Sequence, residues 1–575
     1  MHSSYDKRPA VQIKGWIING WPEILEFLAS EMQERRTLIV DCYTGVYYEE
    51  LTGKLSSLQG YRLLDTRRLL KSEQEIRQLT ADTLTEDPLF GHITRLSFED
   101  YFDKEKVLAA QQDIITSKEK TIVFGYGASL ITQAGLVVFA DMPRWEIQLR
   151  MRLGKVDGIG VSNHDEPISI QYKRGYFNDW KILDQHKQTL FHRADFWLDT
   201  TEMTHPKLIN KETFLNGLAK VSASPFRVVP FFDPAPWGGQ WMKEIFDLDR
   251  SKINYGWCFD CVPEENSLIL KINDTAFEMP AINLVYFKTR ELLGEAIESR
   301  FGKEFPIRFD FLDTMDGGNL SLQVHPTLAF AREQFGLAYT QDESYYIVDA
   351  KEGASVYLGL KTGIDQAQML TELEEANSEP EKEFNADKYV NKIPAKKHDH
   401  FLIPAGTIHC SGQNTVVLEI SATPNLFTFK LWDWNRPGLD GKPRPVNIER
   451  GKQVLQWDRD TAITVGKLGN KFEIISEGEG WREERTGLHP TEFIETRRHY
   501  FTGQINHQTD NTVNVLNLVE GAEIIVESPD SSFEPFVVHY AETFIIPASI
   551  KEYSIRPHGS SEGKECITIK AYVRN

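Results

Sequence analysis

The chain has 575 residues, 41% of them hydrophobic and 26% charged. These are ordinary values for a globular protein, and the length allows roughly four domains. A formal charge of 64 − 84 = −20 argues against nucleic acid or an anionic membrane as partner, so an anionic substrate would need a local basic pocket. Five cysteines, Cys42, Cys258, Cys261, Cys410 and Cys566, give no disulfide framework and suit a reducing, cytoplasmic setting. Cys258-Phe-Asp-Cys261 is a lone CxxC in an apparent strand, where positions three apart face opposite sides, so no zinc or redox role is assigned to it. The first residues lack a signal-peptide core, and no run approaches the ~18 apolar residues of a membrane helix.

In chain order, Trp21–Arg35 carries apolar residues at helical spacing and predicts a helix. Thr37–Tyr43 is a short apolar run of the kind a buried strand shows. It ends in Thr44-Gly45, after which Tyr47–Leu58 can form a helix. The same order recurs at Lys120–Ser129, and Leu136–Asp141 is a further buried strand. Strands alternating with helices predict an N-terminal α/β domain over residues 1–200, with a parallel sheet covered on both faces. The turn Gly125–Ser129 lies where such sheets bind ligands, yet no segment reads GxxxxGK[ST], so the phosphate-reaching lysine is missing. Arg144, Arg150 and Arg152, in the helical stretch Pro143–Leu153, read either as a phosphate clamp or as a solvated basic face. The layout loosely resembles small-molecule kinases of the uridine kinase type without an intact P-loop. Tyr172–Asp199 is rich in aromatic residues and reads as this domain's packed end; residues 201–224, polar and containing Pro206, read as a linker.

Val228–Phe232 opens a second unit as a strand. Ile253–Val262 and Ser267–Ile272 alternate as half-buried strands do. Leu284–Glu298 reads as a single helix, Gly353–Gly359 as a strand, Gln366–Ala376 as a helix, and Asn377–Lys388 as an acidic exposed connector. Many short strands with Gly/Pro turns predict an antiparallel barrel or sandwich, here over 225–469 with helical insertions. Residues 470–575 repeat the pattern at Thr512–Leu518, Glu523–Val526, Phe536–His539 and Thr543–Pro547. They read as a second, metal-free barrel, with His539 and His558 as surface or packing residues.

Three segments of the first barrel carry donors. Gln323 and His325 are two apart in the strand-like Ser321–His325, so both project from one face. Glu343 opens the next strand, ahead of the aromatic and apolar run Tyr345–Val348, and His409 is expected to close a third strand after a Pro-Ala-Gly turn. Either histidine alone fits a packed core position. The four side chains together form a cation site: two imidazoles, a carboxylate and an amide oxygen suit Zn²⁺, Mn²⁺ or Fe²⁺, and a thiolate-free set with room for water looks catalytic. One divalent ion per chain, with Zn²⁺ first, is the expected cofactor. Glu419 is the charged residue in the apolar run Val416–Ile420, and burial would raise its pKa toward the range useful for proton transfer.

Leu320-Ser-Leu-Gln-Val-His-Pro326 followed by Pro404-Ala-Gly-Thr-Ile-His409 resembles the cupin core of class I mannose-6-phosphate isomerases. Pro236-Trp-Gly-Gly239, Gly359-Leu-Lys-Thr-Gly363, Ile393-Pro-Ala-Lys-Lys397 and Leu431-Trp-Asp-Trp-Asn-Arg436 follow the family's order. The resemblance covers about residues 225–575 and leaves out the first 200 or so. For that part it implies a mainly-β double-cupin, jelly-roll unit with helical insertions, so that with the α/β domain ahead of it the protein is multidomain. It also implies interconversion of mannose 6-phosphate and fructose 6-phosphate through an enediol. Glu419 fits the family's site glutamate, with Arg436 and Lys430 as further catalytic candidates. Ser321, Trp237, Lys361 and Gln341 fall at substrate-facing positions. Three departures stand out. Gln341 takes the place of a common lysine, Lys430 that of an arginine, and His398 that of a glycine in a turn. The substrate could then be another sugar phosphate or an unphosphorylated sugar, or the protein a non-catalytic sugar-binding cupin or an Fe²⁺ oxygenase.

Overall fold

The structure, a computed structural model, describes residues 4–379, 381–422, 427–487 and 489–574. Its first sheet has seven strands, in the order Ile17–Asn19, Lys207–Asn210, Phe196–Asp199, Leu136–Asp141, Thr37–Cys42, Lys120–Gly125, Tyr61–Asp65. The last five run parallel to one another. Thr37–Cys42 and Leu136–Asp141 are buried along their whole length, as central parallel strands sandwiched between helices must be. The helices Trp21–Glu31, Tyr48–Ser56 and Arg144–Arg152 are each a little shorter than their apolar patterns suggest.

The expected linker at 201–224 is not one. Lys207–Asn210 pairs with two strands of this sheet, and Lys211–Val221 is a helix that buries Phe214, Leu218 and Val221. The polar residues of the segment occupy the outer face of an amphipathic helix capped by Asn210, a pattern that composition alone hides. The N-terminal boundary also differs. Ala10–Ile13 pairs in parallel with Ser267–Ile272, and the Tyr5 hydroxyl donates to Asp260 at 2.6 Å. Residues 5–13 therefore lie on the second unit, ahead of the first sheet.

The second unit opposes two sheets. One has six strands, in the order His400–Ile403, Glu343–Ala350, Thr415–Ala422, Ile307–Asp313, Trp257–Cys261, Phe231–Asp233; the other has five, in the order Val390–Pro394, Ser355–Leu360, His409–Ser411, Leu322–Val324, Phe429–Trp432. All pairings within them are antiparallel. The expected single helix at Leu284–Glu298 is three short ones, Ile282–Phe287, Thr289–Leu293 and Glu295–Phe301. Gly294 lies between the last two at φ +91, a conformation that ends a helix. Residues from Glu473 onward build a further six-stranded and four-stranded sheet. His398 stands at φ +71, where an L-residue is strained. It is held there by a 2.9 Å bond between its Nδ1 and Tyr346 and by Glu520 of the last barrel 3.3 Å from its Nε2. No helix among the described residues is long and apolar enough to cross a membrane.

One cluster of buried apolar side chains is continuous through all three units, from Trp21 and Leu38 through Phe309 and Tyr345 to Val515 and Ile569. A second, smaller one fills the last barrel around Leu516, Val526 and Tyr553.

Candidate metal centre and its cavity

The four expected ligands come from both sheets of the first barrel. Gln323 lies directly opposite His409 on one neighbouring strand and Lys430 on the other, so the three side chains share a face. His325 follows two residues on. His409 opens the strand His409–Ser411 rather than closing one, because the turn after Ile403 ends the preceding strand and switches the chain to the other sheet. Glu343 heads its strand in the six-stranded sheet, as expected. Its carboxylate lies 3.0 Å from His325 Nε2 and 2.8 Å from His409 Nε2, and the Gln323 amide is 3.3 Å from His409 Nε2. Among the described residues, His325, Glu343 and His409 are the group close enough to hold a metal, with ligand atoms all within 4.8 Å of one another.

The chemistry of these contacts calls for a cation. His325 Nδ1 is 3.2 Å from the Phe427 carbonyl and His409 Nδ1 is 2.8 Å from that of Thr407. A carbonyl only accepts, so each Nδ1 carries the proton and each neutral ring turns its Nε2 lone pair toward Glu343. Lone pairs of two imidazoles would then face those of a carboxylate in a buried space. His325 Nε2 and Glu343 Oε1 indeed have no hydrogen-bond partner, which is costly for buried polar atoms unless positive charge lies between them. Burial alone would raise Glu343, and positive charge at the imidazoles is what holds it well below the usual carboxylate range; with both rings neutral, a bound cation has to supply that charge. The residues fit a divalent ion with imidazole and carboxylate ligands.

Of this set, Gln323 lines a cavity of about 440 Å³, within the usual size of a small-molecule site. Gln323, Ser321, Gln341, Glu419, Lys430 and Trp237 line it. Glu419 is 3% exposed and accepts from Arg308 Nη2 at 2.5 Å and from Gln341 Nε2 at 3.5 Å. Burial and the neighbouring Glu343 carboxylate raise it above the ordinary range against the pull of Arg308. Gln341 also donates to Glu343 at 2.9 Å, so its amide bridges the ligand set and Glu419. Lys430 faces the cavity with no hydrogen-bond or ion-pair partner among the described residues, and burial pushes it down to about 8.

Two candidates do not reach the cavity. Arg436 donates to the Asn319 carbonyl at 2.7 Å and to Asp433 at 2.8 Å, which commits its fork to a loop. Lys361 is exposed and bonds the Asp387 carbonyl. Arg444, paired with Asp433 through two bonds, lines the wall instead. Nor do Arg144, Arg150 and Arg152 form a clamp. Arg144 pairs with buried Asp184 at 2.7 Å. Arg150 is spent on the carbonyls of Gly45, Thr200 and Thr201, and Arg152 forks onto Asp233 with two 2.7 Å bonds.

Arg308 and Asp310 escaped sequence reasoning. Both line the cavity, 2.9 Å apart, on Ile307–Asp313. The signal was there: in Ile-Arg-Phe-Asp-Phe two charges stand two apart in an otherwise apolar strand, so they share a face. The cavity's other wall, built by Phe90, Gln148, Tyr172 and Lys173, has no such local signature.

Residues 20–223 match a family described as a domain of unknown function, DUF8485. Over 319 residues the chain is 25% identical to mannose-6-phosphate isomerase of Streptococcus mutans, covering 55% of this chain and 90% of that protein. It is 22% identical over 237 residues to mannose-6-phosphate isomerase ManA of Bacillus subtilis, covering 41% and 69%. Among solved structures, the mannose 6-phosphate isomerase from Bacillus subtilis aligns with a TM-score of 0.48 at 18% identity, covering 61% of this chain and 100% of that one. Over about half its length the chain is thus similar to mannose-6-phosphate isomerases, and this part adjoins residues with a separate family match.

Proposed function

We propose that this protein is a metal-dependent aldose–ketose isomerase acting on a hexose phosphate, with mannose 6-phosphate and fructose 6-phosphate as the pair. The observation that carries the reading is the meeting of three parts: the His325–Glu343–His409 cradle, joined to the cavity through Gln323, and two groups on the cavity wall, a buried carboxylate at Glu419 and an unpaired ammonium at Lys430. Bound in the cradle, Zn²⁺ or a similar ion supplies Lewis acidity toward sugar oxygens. Glu419 takes the C2 proton of the aldose while the C1 carbonyl oxygen gains a proton from water, which gives the enediol. The same carboxyl returns its proton to C1 while the C2 hydroxyl gives up its own to water. A carboxyl raised by burial is suited to both halves of that exchange. Lys430, with Ser321 beside it on the wall, gives the phosphate a positive partner inside a chain of charge −20.

A coupled assay of fructose 6-phosphate formation, run on metal-loaded protein beside Gln341→Lys, tests this. Wild type is expected to turn over mannose 6-phosphate. The variant, which adds a cation beside two carboxylates, is expected to lower KM for the phosphorylated sugar. If neither protein converts any hexose phosphate while both hold metal, the isomerase reading fails. A sugar-binding protein of altered specificity is the second reading; the neutral Gln341 amide, which ties down both Glu343 and Glu419, favours it.

Lys430 gives a pH signature. Below about 8 it is an ammonium and above that a neutral amine. Affinity for the phosphorylated sugar is therefore expected to fall about tenfold as pH rises through that value, with affinity for unphosphorylated mannose level. Lys430→Arg, whose charge persists to pH ~12, should flatten the profile. Titration calorimetry at pH values on either side checks both.

A further inference from the structure

The cavity has a roof that belongs to neither barrel. Eight of its lining residues, Phe90, Gln148, Arg152, Ser169, Tyr172 and Lys173 among them, come from the α/β domain, facing Gln323, Glu419 and Lys430 across the same space. The roof is anchored. Arg152 forks onto Asp233. Gln148 and Tyr172 both donate to Glu265, at 2.7 and 2.9 Å. Arg450 of the barrel pairs with Asp87 at 3.0 Å and stacks over the Phe90 ring at 5.0 Å. Phe90 itself packs among Phe335, Phe427 and Phe429, with ring centroids 5.3–6.0 Å apart.

Lys173 is the organiser of this wall. It lies near the end of the helix Ile168–Arg174, 5% exposed. Its ammonium donates to the carbonyls of Thr85 and Asp87. The Asp87 carboxylate in turn accepts from the backbone N–H of Leu89 and Phe90, both at 2.8 Å, which fixes the turn that carries Phe90 into the cavity. An ammonium has three N–H donors. The carbonyls use two, and no carboxylate forms an ion pair with Lys173 among the described residues; the nearby Asp87 carboxylate that acts on it is itself paired with Arg450. Arg152, Arg308 and Arg444 also line the cavity, but each is paired with a carboxylate. The lining cations without one are therefore Lys173 and Lys430, one from each domain.

We infer that the α/β domain is part of the substrate site, and that Lys173 together with Lys430 forms a two-domain subsite for the phosphate of the sugar. This rests on the reading that the cavity takes a sugar phosphate. A dianion between two ammonium groups in a partly desolvated space is held more tightly than by either alone, and a neutral sugar gains nothing from them. The α/β domain thus sets the preference for phosphorylated over free sugar.

The test is calorimetric binding of mannose 6-phosphate and of mannose to the full-length, Zn²⁺-loaded protein, with metal content measured in every sample. Lys173→Gln keeps donors for the two carbonyls and removes only the charge. It is expected to weaken mannose 6-phosphate binding about tenfold and leave mannose unchanged, and Lys173→Arg is expected to restore most of the loss. A merely structural Lys173 would leave Lys173→Gln like wild type for both ligands, or weaken both equally; either result overturns the inference. Should the lysine variants not fold, Ser169→Trp, at an exposed position on the rim, is expected to obstruct entry of both sugars, and unaltered binding there would also overturn it. Phosphate-selective loss in a protein that never isomerises its ligand would support the subsite while ending the isomerase reading. Turnover of mannose 6-phosphate with unchanged Lys173→Gln affinity would do the reverse.

Discussion

Replacing His409 with alanine is expected to abolish stable metal binding and, with it, turnover. His409 Nε2 lies 2.8 Å from Glu343, and its orientation is fixed by the Thr407 carbonyl, so the ring is a preorganised ligand rather than a mobile one. Its removal leaves the Glu343 carboxylate, 1% exposed, with one imidazole in place of two. Breaking a buried charged set in this way typically costs about 3–5 kcal/mol. Elemental analysis should show metal falling from one ion per chain toward none, and the thermal midpoint should drop and cease to respond to added Zn²⁺, since a ligand that no longer binds the folded state cannot stabilise it. Retention of a full complement of metal by His409→Ala would place the ion elsewhere and remove the basis of the proposed chemistry.

Glu419→Gln is expected to separate proton transfer from binding. The amide oxygen can still accept from Arg308, which sits 2.5 Å from the carboxylate, so the local packing survives while the capacity to carry a proton is lost. Removing a general acid or base costs about 10²- to 10⁴-fold in rate. The expected result is a fall of that size in kcat, with metal content and mannose 6-phosphate affinity near wild type. Asp310 is the internal comparison. It lines the same cavity, paired with Arg308 at 2.9 Å, and burial, opposed by Arg308, drives it well above the usual range. If Asp310→Asn abolishes turnover while Glu419→Gln barely changes kcat, the proton passes through Asp310 and the assignment to Glu419 is wrong.

The candidate metal set was legible because three of its members belong to local patterns. Gln323 and His325 obey the period of two that a strand imposes, and Glu343 heads an aromatic run that had to be buried. The parallel-strand runs at Thr37–Cys42 and Leu136–Asp141 could be read for the same reason. Arg436 and Lys361 were misplaced because a position in a motif does not say where a long, flexible side chain will find its partner; Asp433 and the Asp387 carbonyl were nearer than the cavity. The segment 201–224 looked like a linker because its polar residues were weighed without the helical face that buries Phe214 and Leu218. The roof was not readable at all. Phe90, Gln148 and Lys173 meet Gln323 and Glu419 only through packing between segments some 150 to 330 positions apart, as the numbering shows, and no window of sequence records such a meeting.

The unbroken apolar interior has a further meaning. Trp21, Phe309 and Ile569 belong to one packed body, and Ala10–Ile13 is stitched to Ser267–Ile272 ahead of the α/β unit. Among the described residues no seam lets the α/β unit be cut free without baring oily surface on both fragments. Core substitutions on one side of the join therefore have to suit the packing on the other.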